Sequence, residues 1–135
     1  RRGGNMTLKR IVEGNFDSEA LVSLTPISFF GDIDPNTGVV KDQNSNIFGK
    51  SVKGKLLILP GTRGSTVGSY VLYALAKNGV APSGIIVKTA EPILIVGCIL
   101  GNIPLASGLT DNYIDEKISG KSVFLDSETA ELVVR

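Results

Sequence analysis

The segment 55-KLLILPGTRGSTVGSYVLYALAKNG-79 combines a short apolar run, a glycine-rich turn and a stretch with helical periodicity. The run at residues 55–59 is rich in branched residues and stops at Pro60, which predicts a buried strand. Four apolar residues then fall on one side of a helix: Val67, Val71, Ala74 and Leu75. Gly79 is well placed to end that helix. The segment therefore predicts a strand–turn–helix unit.

The turn of this unit is the candidate site. Arg63 and Gly64 precede Ser65 and Thr66, and either hydroxyl residue could be the N-cap of the helix. A helix N-terminus has unpaired N–H groups and a partial positive charge, so together with Arg63 it favours an anionic ligand. Alternatively, Ser65 is only a cap, and Gly61 and Gly64 only shape the turn. The residues alone leave both interpretations open.

Two familiar catalytic motifs fail at this turn. A P-loop has the sequence G-x-x-x-x-G-K-[ST]. If Gly61 were its first glycine, the second would be residue 66, which is a threonine, and no lysine follows it. Residues 64–68 have the frame of a nucleophile elbow, but threonine is central and the chain has no histidine to activate it. Ser65 could still accept a proton if Arg63 and the helix stabilise its alkoxide, or if a second subunit completes the site.

Composition excludes several classes of function. The chain has 135 residues, 42% hydrophobic and 20% charged, which indicates a globular domain. Its net charge of +1 gives no basis for binding nucleic acid or an acidic membrane. Residues 1–5 precede the single methionine, Met6, and are expected to be a remnant of cloning. Residues 6–135 are then expected to form one domain.

The chain lacks the residues for histidine-ligated metal sites and for thiolate-ligated clusters. It has no histidine and one cysteine, Cys98, so it cannot build a Ser-His-Asp triad, a histidine-ligated zinc site or an iron–sulfur cluster by itself. Cys98 lies in an apolar run at residues 93–100, which predicts a small buried side chain. That run is far shorter than the roughly 20 residues of a membrane span. A chain without a disulfide framework is typical of the reducing cytoplasm.

Further strands and one helix are predicted around the central unit. The strands are expected at residues 9–14, 19–24, 84–87, 103–106, 121–125 and 130–134. Pro92 is expected to open a helix that ends near Leu100. Residues 34–38 have the composition of a tight turn. Phe29 and Phe30 cannot both face inward on an extended strand, so one of them is expected to cover a loop or a partner.

Eight short pieces, in order, identify a family resemblance. They are Phe30-Gly31, Ile33-Asp34-Pro35, Thr37-Gly38, Gly49-Lys50-Ser51, Pro60-Gly61, Arg63-Gly64-Ser65-Thr66, Gly68-Ser69 and Gly79-Val80-Ala81-Pro82. Through them residues 26–105 resemble the small, swivelling-domain subunit of the aconitase X family. The resemblance implies an α/β fold: a swivelling β/β/α domain like the C-terminal domain of aconitase, with a mixed sheet or barrel-like core and flanking helices.

The resemblance also implies a function. The chain would dock on a large aconitase-X-type subunit that holds a 4Fe-4S cluster, with none bound by this chain. The shared cleft would dehydrate a small anionic hydroxy acid, (R)-5-phosphomevalonate, to trans-anhydromevalonate 5-phosphate in archaeal isoprenoid synthesis. Ser65 would be the proton acceptor, and Arg63, Gly64 and Thr66 would bind substrate.

Two alternatives and two departures stay open. The same chemistry could act on another hydroxy acid, such as a hydroxyproline. Alternatively, the chain could be a non-catalytic module that binds an anion or a protein through the Phe29-Phe30 loop. Asp32 stands where the family commonly has a second glycine, and Asn44-Ser45-Asn46 replaces a stretch that usually holds histidine and proline. These departures leave the contacts of both loops, and with them the choice of substrate, undecided.

Overall fold

A computed structural model describes residues 7–64, 67–126 and 128–135. In these ranges seven strands form one mixed sheet in the order β1-β5-β4-β3-β2-β6-β7. The strands are β1 (Lys9–Val12), β2 (Asp17–Val22), β3 (Leu56–Ile58), β4 (Gly84–Val87), β5 (Leu105–Ser107), β6 (Ser122–Leu125) and β7 (Leu132–Val134). The helices are α1 (Phe29–Asp32), α2 (Val67–Lys77) and α3 (Pro92–Gly101). None of these helices has the length and apolar character of a membrane span.

The inner strands β2 to β5 are parallel, whereas β1, β6 and β7 pair in the antiparallel sense. β2 joins the two parts of the sheet, because residues 17–19 pair with β6 and residues 20–22 pair with β3. This change of partner along one strand lets the sheet curve into a half-barrel. The expected hairpin of the two C-terminal strands is confirmed.

The central strand–turn–helix unit is confirmed. β3 leads through the turn to α2, and Gly79 follows the helix with φ +73°, a conformation that glycine adopts without strain. The predicted apolar stripe is partly wrong, because Val67 is 41% exposed. Val67 is the first residue of α2 and precedes the turns that pack on the sheet. Leu72, which was not assigned to the stripe, is buried instead.

Two apolar cores lie on opposite faces of the sheet, since side chains alternate along each strand. α2 and α3 cover one face, where Leu75 and Leu94 join the inward side chains of β3 to β5. Two short 3₁₀ helices, Asp111–Tyr113 and Glu116–Ile118, bring Tyr113 and Ile118 to the core on the other face. The sequence patterns predicted neither of these 3₁₀ helices.

α2 and α3 are parallel neighbours, because each connects two parallel strands on the same face of the sheet. Glycines on α3 allow the close approach. A Cβ atom built at Gly97 would lie 3.1 Å from the backbone Cα of Ser69, and one at Gly101 would lie 3.2 Å from the backbone oxygen of Leu72. The N-terminal ends of both helices therefore lie side by side at the carboxyl edge of the parallel strands.

Candidate functional site

The candidate site is a small pocket at this carboxyl edge of the parallel strands. Its polar lining comes from the turn after β3, from the first turn of α2 and from the start of α3: Thr62, Arg63, Gly64, Gly68 and Glu91. Phe29, Leu72, Ile93 and Leu94 supply its apolar wall. Ligands in open α/β sheets commonly bind outside the carboxyl ends of the strands, where helix N-termini offer partial positive charge. Arg63 and the two helix N-termini favour an anionic ligand here, whereas the carboxylate of Glu91 in the same lining opposes one.

Arg63 is tied to the neighbouring loop by Asp32. Nη2 of Arg63 lies 3.0 Å from Oδ2 of Asp32, and the same oxygen accepts a hydrogen bond from the backbone N–H of Ser28 at 2.8 Å. Asp42 Oδ2 is 4.0 Å from Nη2 of Arg63. The Asp32 side chain is only 14% exposed, whereas that of Arg63 is 56% exposed. Asp32, whose role the sequence left undecided, therefore holds one nitrogen of a guanidinium group whose residue lines the pocket.

Gly64 shapes the turn. Its φ is +114°, and a Cβ at this position would lie 2.7 Å from Oγ of Ser28. A side chain here is therefore disfavoured both by the backbone conformation and by the neighbouring hydroxyl. Ser28 was not identified from the sequence as a residue near the site. Nothing in its local pattern signals the approach, since the contact joins two segments that are distant in the chain.

Ser65 and Thr66 lie outside the described residues. The sequence puts them between Gly64, which lines the pocket, and Val67, the first residue of α2. Their predicted roles in capping the helix, accepting a proton and binding substrate stay predictions.

As expected, only one of the two phenylalanines faces inward, but they lie on a helix and not on a strand. Phe29 and Phe30 lie on the short helix α1 rather than on an extended strand, so the conformation assumed for them was wrong. Phe29 is buried and Phe30 is 59% exposed. Consecutive helical residues point about 100° apart, so helix and strand alike separate the two rings.

The unusual loop at residues 44–46 has a structural role. Oδ1 of Asn46 accepts a hydrogen bond from the backbone N–H of Leu24 at 2.9 Å, and its Nδ2 donates to the backbone oxygen of Val22 at 2.9 Å. The loop is thus fastened to the end of β2. Asp42, at the start of the same loop, has Oδ2 4.0 Å from Nη2 of Arg63.

The described residues do not fit an iron–sulfur cluster or a metal ion. In this part of the chain, no three side chains of histidine, cysteine, aspartate or glutamate lie close enough together to hold a metal. Cys98 is fully buried on α3, and this burial raises the pKa of its thiol from 9.0 to about 12. A cluster is held by several thiolates, whereas Cys98 is the single cysteine of the chain and is enclosed by the core, so it is not a suitable ligand.

Cys98 gives a testable prediction. At pH 8 the raised pKa leaves roughly a thousandfold less of Cys98 as thiolate than of a thiol with the ordinary pKa. We therefore expect a thiol reagent not to react with the native protein and to react rapidly with the protein unfolded in urea. The unfolded thiol ionises first as the pH rises, so the stability supplied by this group declines between about pH 9 and pH 12. Rapid labelling of the native chain at pH 8 would contradict the burial of Cys98.

Comparison with known proteins agrees with this architecture. The family model of the aconitase X swivel domain matches residues 5–134. The phosphomevalonate dehydratase small subunit of Pyrococcus abyssi is 48% identical over 93% of this chain and 92% of that protein. The phosphomevalonate dehydratase small subunit of Methanopyrus kandleri is 48% identical over 84% of this chain and 84% of that protein. The crystal structure of Thermococcus kodakaraensis aconitase X in its holo form has a TM-score of 0.88 and 41% identity, over 98% of this chain and 99% of that chain. This chain belongs to the aconitase X swivel domain family.

Proposed function

We propose that this chain is the small subunit of a phosphomevalonate dehydratase, which removes water from (R)-5-phosphomevalonate to give trans-anhydromevalonate 5-phosphate. The observation that carries the proposal is the similarity to archaeal proteins of that name, at 48% identity across nine-tenths of both chains in Pyrococcus abyssi. The pocket supports it, because an arginine beside the N-termini of two helices suits a substrate with a carboxylate and a phosphate.

The proposal assigns the iron–sulfur cluster to a large subunit. The name small subunit, carried by the relatives, implies such a partner. The single buried thiol of this chain and its lack of histidine are unsuited to holding the cluster. The contribution proposed for this chain is therefore limited to binding the substrate and moving a proton.

Arg63 is proposed to bind an anionic group of the substrate. Its guanidinium has five N–H donors, of which the Asp32 carboxylate at 3.0 Å uses only part. The planar fork suits a carboxylate or a phosphate equally, so this residue by itself does not select between the two ends of the substrate. Gly64 and Thr66 are proposed to contribute backbone and hydroxyl contacts to the same group.

Ser65 is proposed to accept the proton from the carbon next to the substrate carboxylate. The C–H electron pair becomes the new double bond as hydroxide leaves the neighbouring carbon, and the proton moves to Oγ of Ser65. A serine can do this only as an alkoxide, which needs nearby positive charge. Arg63, two residues earlier in the turn, and the N-terminus of α2 are the groups of this chain that would supply it.

We also propose that the enzyme works in the cytoplasm. Cys98 is a free thiol and the sequence has no second cysteine for a disulfide, which suits a reducing compartment. Fractionation of native cells followed by detection of this chain would test the location.

The experiment that tests the function is co-expression with the large subunit of the same organism, followed by an assay of water loss. We expect the complex to dehydrate 5-phosphomevalonate and the small chain alone to be inactive. Hydroxyproline and other hydroxy acids serve as comparison substrates. Faster turnover of one of these comparison substrates would overturn the assignment of 5-phosphomevalonate. Activity of the small chain alone would overturn the assignment of the cluster to the large subunit.

Asp32 provides a prediction about substrate binding. We expect Asp32→Ala to raise the KM of the complex about three- to tenfold and to lower kcat far less than Ser65→Ala does, because the carboxylate orients Arg63 without touching the reacting atoms. Asp42→Ala is the matched control, since its oxygen lies 4.0 Å from the same guanidinium nitrogen and we expect a smaller change. A loss confined to kcat in Asp32→Ala would contradict this role.

A further inference from the structure

The outer side of α3 is apolar. A surface helix normally carries charged or polar side chains on the side away from the core, and a helix that is apolar all round is normally buried. Residues Pro92–Gly101 include no charged side chain. The outward-facing residues Val96, Ile99 and Leu100 are exposed, and Ile99 is 61% exposed. This pattern indicates that another chain covers the helix.

α2 continues the same surface. Val67, Tyr70 and Tyr73 are exposed on this helix, and Tyr70 is 68% exposed. The inner sides of α2 and α3 share one core on the sheet, so the exposed residues of both helices point away from the sheet. We call these exposed residues of α2 and α3 the helix face. Tyrosine is among the residues most enriched at the energetic centres of protein interfaces.

The helix face begins at the rim of the candidate site. Gly68 on α2 and Ile93 on α3 line the pocket, and both helices start at the carboxyl edge of the strands. Phe29 on α1 also lines the pocket, and the next residue, Phe30, is 59% exposed. A chain that closed the pocket from outside would therefore lie beside the first turns of both helices, where the helix face begins.

We propose that the helix face is part of the docking surface for the large subunit. This inference rests on the proposed function, under which the large subunit brings the cluster and must cover the pocket. A second copy of this chain is the less suitable occupant. It has no histidine and one buried cysteine, so it would cover the pocket without bringing any ligand for a cluster.

The area of the helix face indicates that the docking surface extends beyond the two helices to the pocket rim. Two adjacent helices of about three turns present roughly 15 by 20 Å, or about 300 Å². A stable interface buries about 800 Å² on each partner. The helix face alone is therefore too small for a stable contact, and a partner that also covers Arg63 at the rim and the exposed Phe30 buries more area.

The test is Ile99→Lys in the full chain, with binding to purified large subunit measured by biolayer interferometry. Ile99 lies in the last turn of α3, where a lysine is favoured by the helix dipole, so we expect the thermal midpoint of the free chain to stay unchanged. We expect the complex to be at least about tenfold weaker, because the docked lysine would have to leave water. Glu128→Gln, which changes the charge by the same amount between β6 and β7, is the matched control and should bind like wild type.

Each outcome decides the inference. Weaker binding by Ile99→Lys with normal binding by Glu128→Gln supports the helix face as the docking surface. Equal binding by both variants overturns it, as does a wild-type chain that does not bind the large subunit. If Ile99→Lys instead converts a dimer of the free chain to a monomer while the complex is unaffected, a second copy is the occupant and the inference is wrong. A complex that forms normally but does not dehydrate 5-phosphomevalonate would refute the proposed function and leave the docking surface standing.

Discussion

Replacing Ser65 by alanine is expected to lower kcat of the assembled dehydratase by about 10²- to 10⁴-fold, the usual contribution of a positioned general base. KM should change little, because Arg63 and the helix N-termini keep the contacts proposed for the anionic groups. The large and small subunits should still form a complex, since the change removes a single oxygen atom. Steady-state assay of water loss and size-exclusion chromatography of the mixed subunits measure these two results.

Two comparison variants separate the assigned base from a second hydroxyl, that of Ser28, which lies next to Gly64. Ser28→Ala removes the hydroxyl that a Cβ at position 64 would approach to 2.7 Å, and we expect most of the activity to remain. Ser65→Thr retains a hydroxyl group and should recover part of the activity lost in Ser65→Ala. Full turnover by Ser65→Ala would show that Ser65 is not the base. A loss of kcat in Ser28→Ala as large as that in Ser65→Ala would indicate that Ser28 takes part in the reaction.

The local parts of this fold could be predicted because their causes are local. A branched apolar run at residues 55–59 forms β3, and Gly79 ends α2 in the conformation for which glycine is suited. β3, α2 and β4 follow one another in the chain, and this order favours a parallel pair of strands, which β3 and β4 form. The resemblance to the aconitase X swivel domain supplied the β/β/α arrangement, and that fold is confirmed.

The contacts that build the site could not be predicted, because they join distant parts of the chain. Asp32 and Arg63 are 31 residues apart, and nothing near either residue signals their ion pair. Val67 has the spacing of a core residue but lies at the exposed start of α2, where periodicity no longer reports burial. Tyr113 and Ile118 reach the second core through 3₁₀ helices, which are too short to produce a periodic pattern.

Gly97, where α3 packs closely on α2, is expected to tolerate a larger side chain poorly. A Cβ there would lie 2.5 Å from Cδ1 of Leu72 and 3.1 Å from Cα of Ser69. The leucine end can rotate, but the backbone of α2 cannot move without displacing the helix. We therefore expect Gly97→Val to reduce the free energy of unfolding by about 3 kcal/mol, at the upper end of the usual cost of overpacking. Urea unfolding of the free chain, followed by circular dichroism, measures it.

Gly68→Ala is the matched control, because it also lies in a helix but a Cβ there would come no closer than 3.9 Å to Phe29. We expect that variant to be as stable as wild type or up to about 1 kcal/mol more stable, since alanine favours a helix. Equal stability of Gly97→Val and Gly68→Ala would show that α2 and α3 tolerate separation. The distance between α2 and α3 also affects the site, because Gly68 on α2 and Ile93 on α3 both line the pocket. If Gly97 sets that distance, any folded Gly97→Val complex should also bind substrate less tightly.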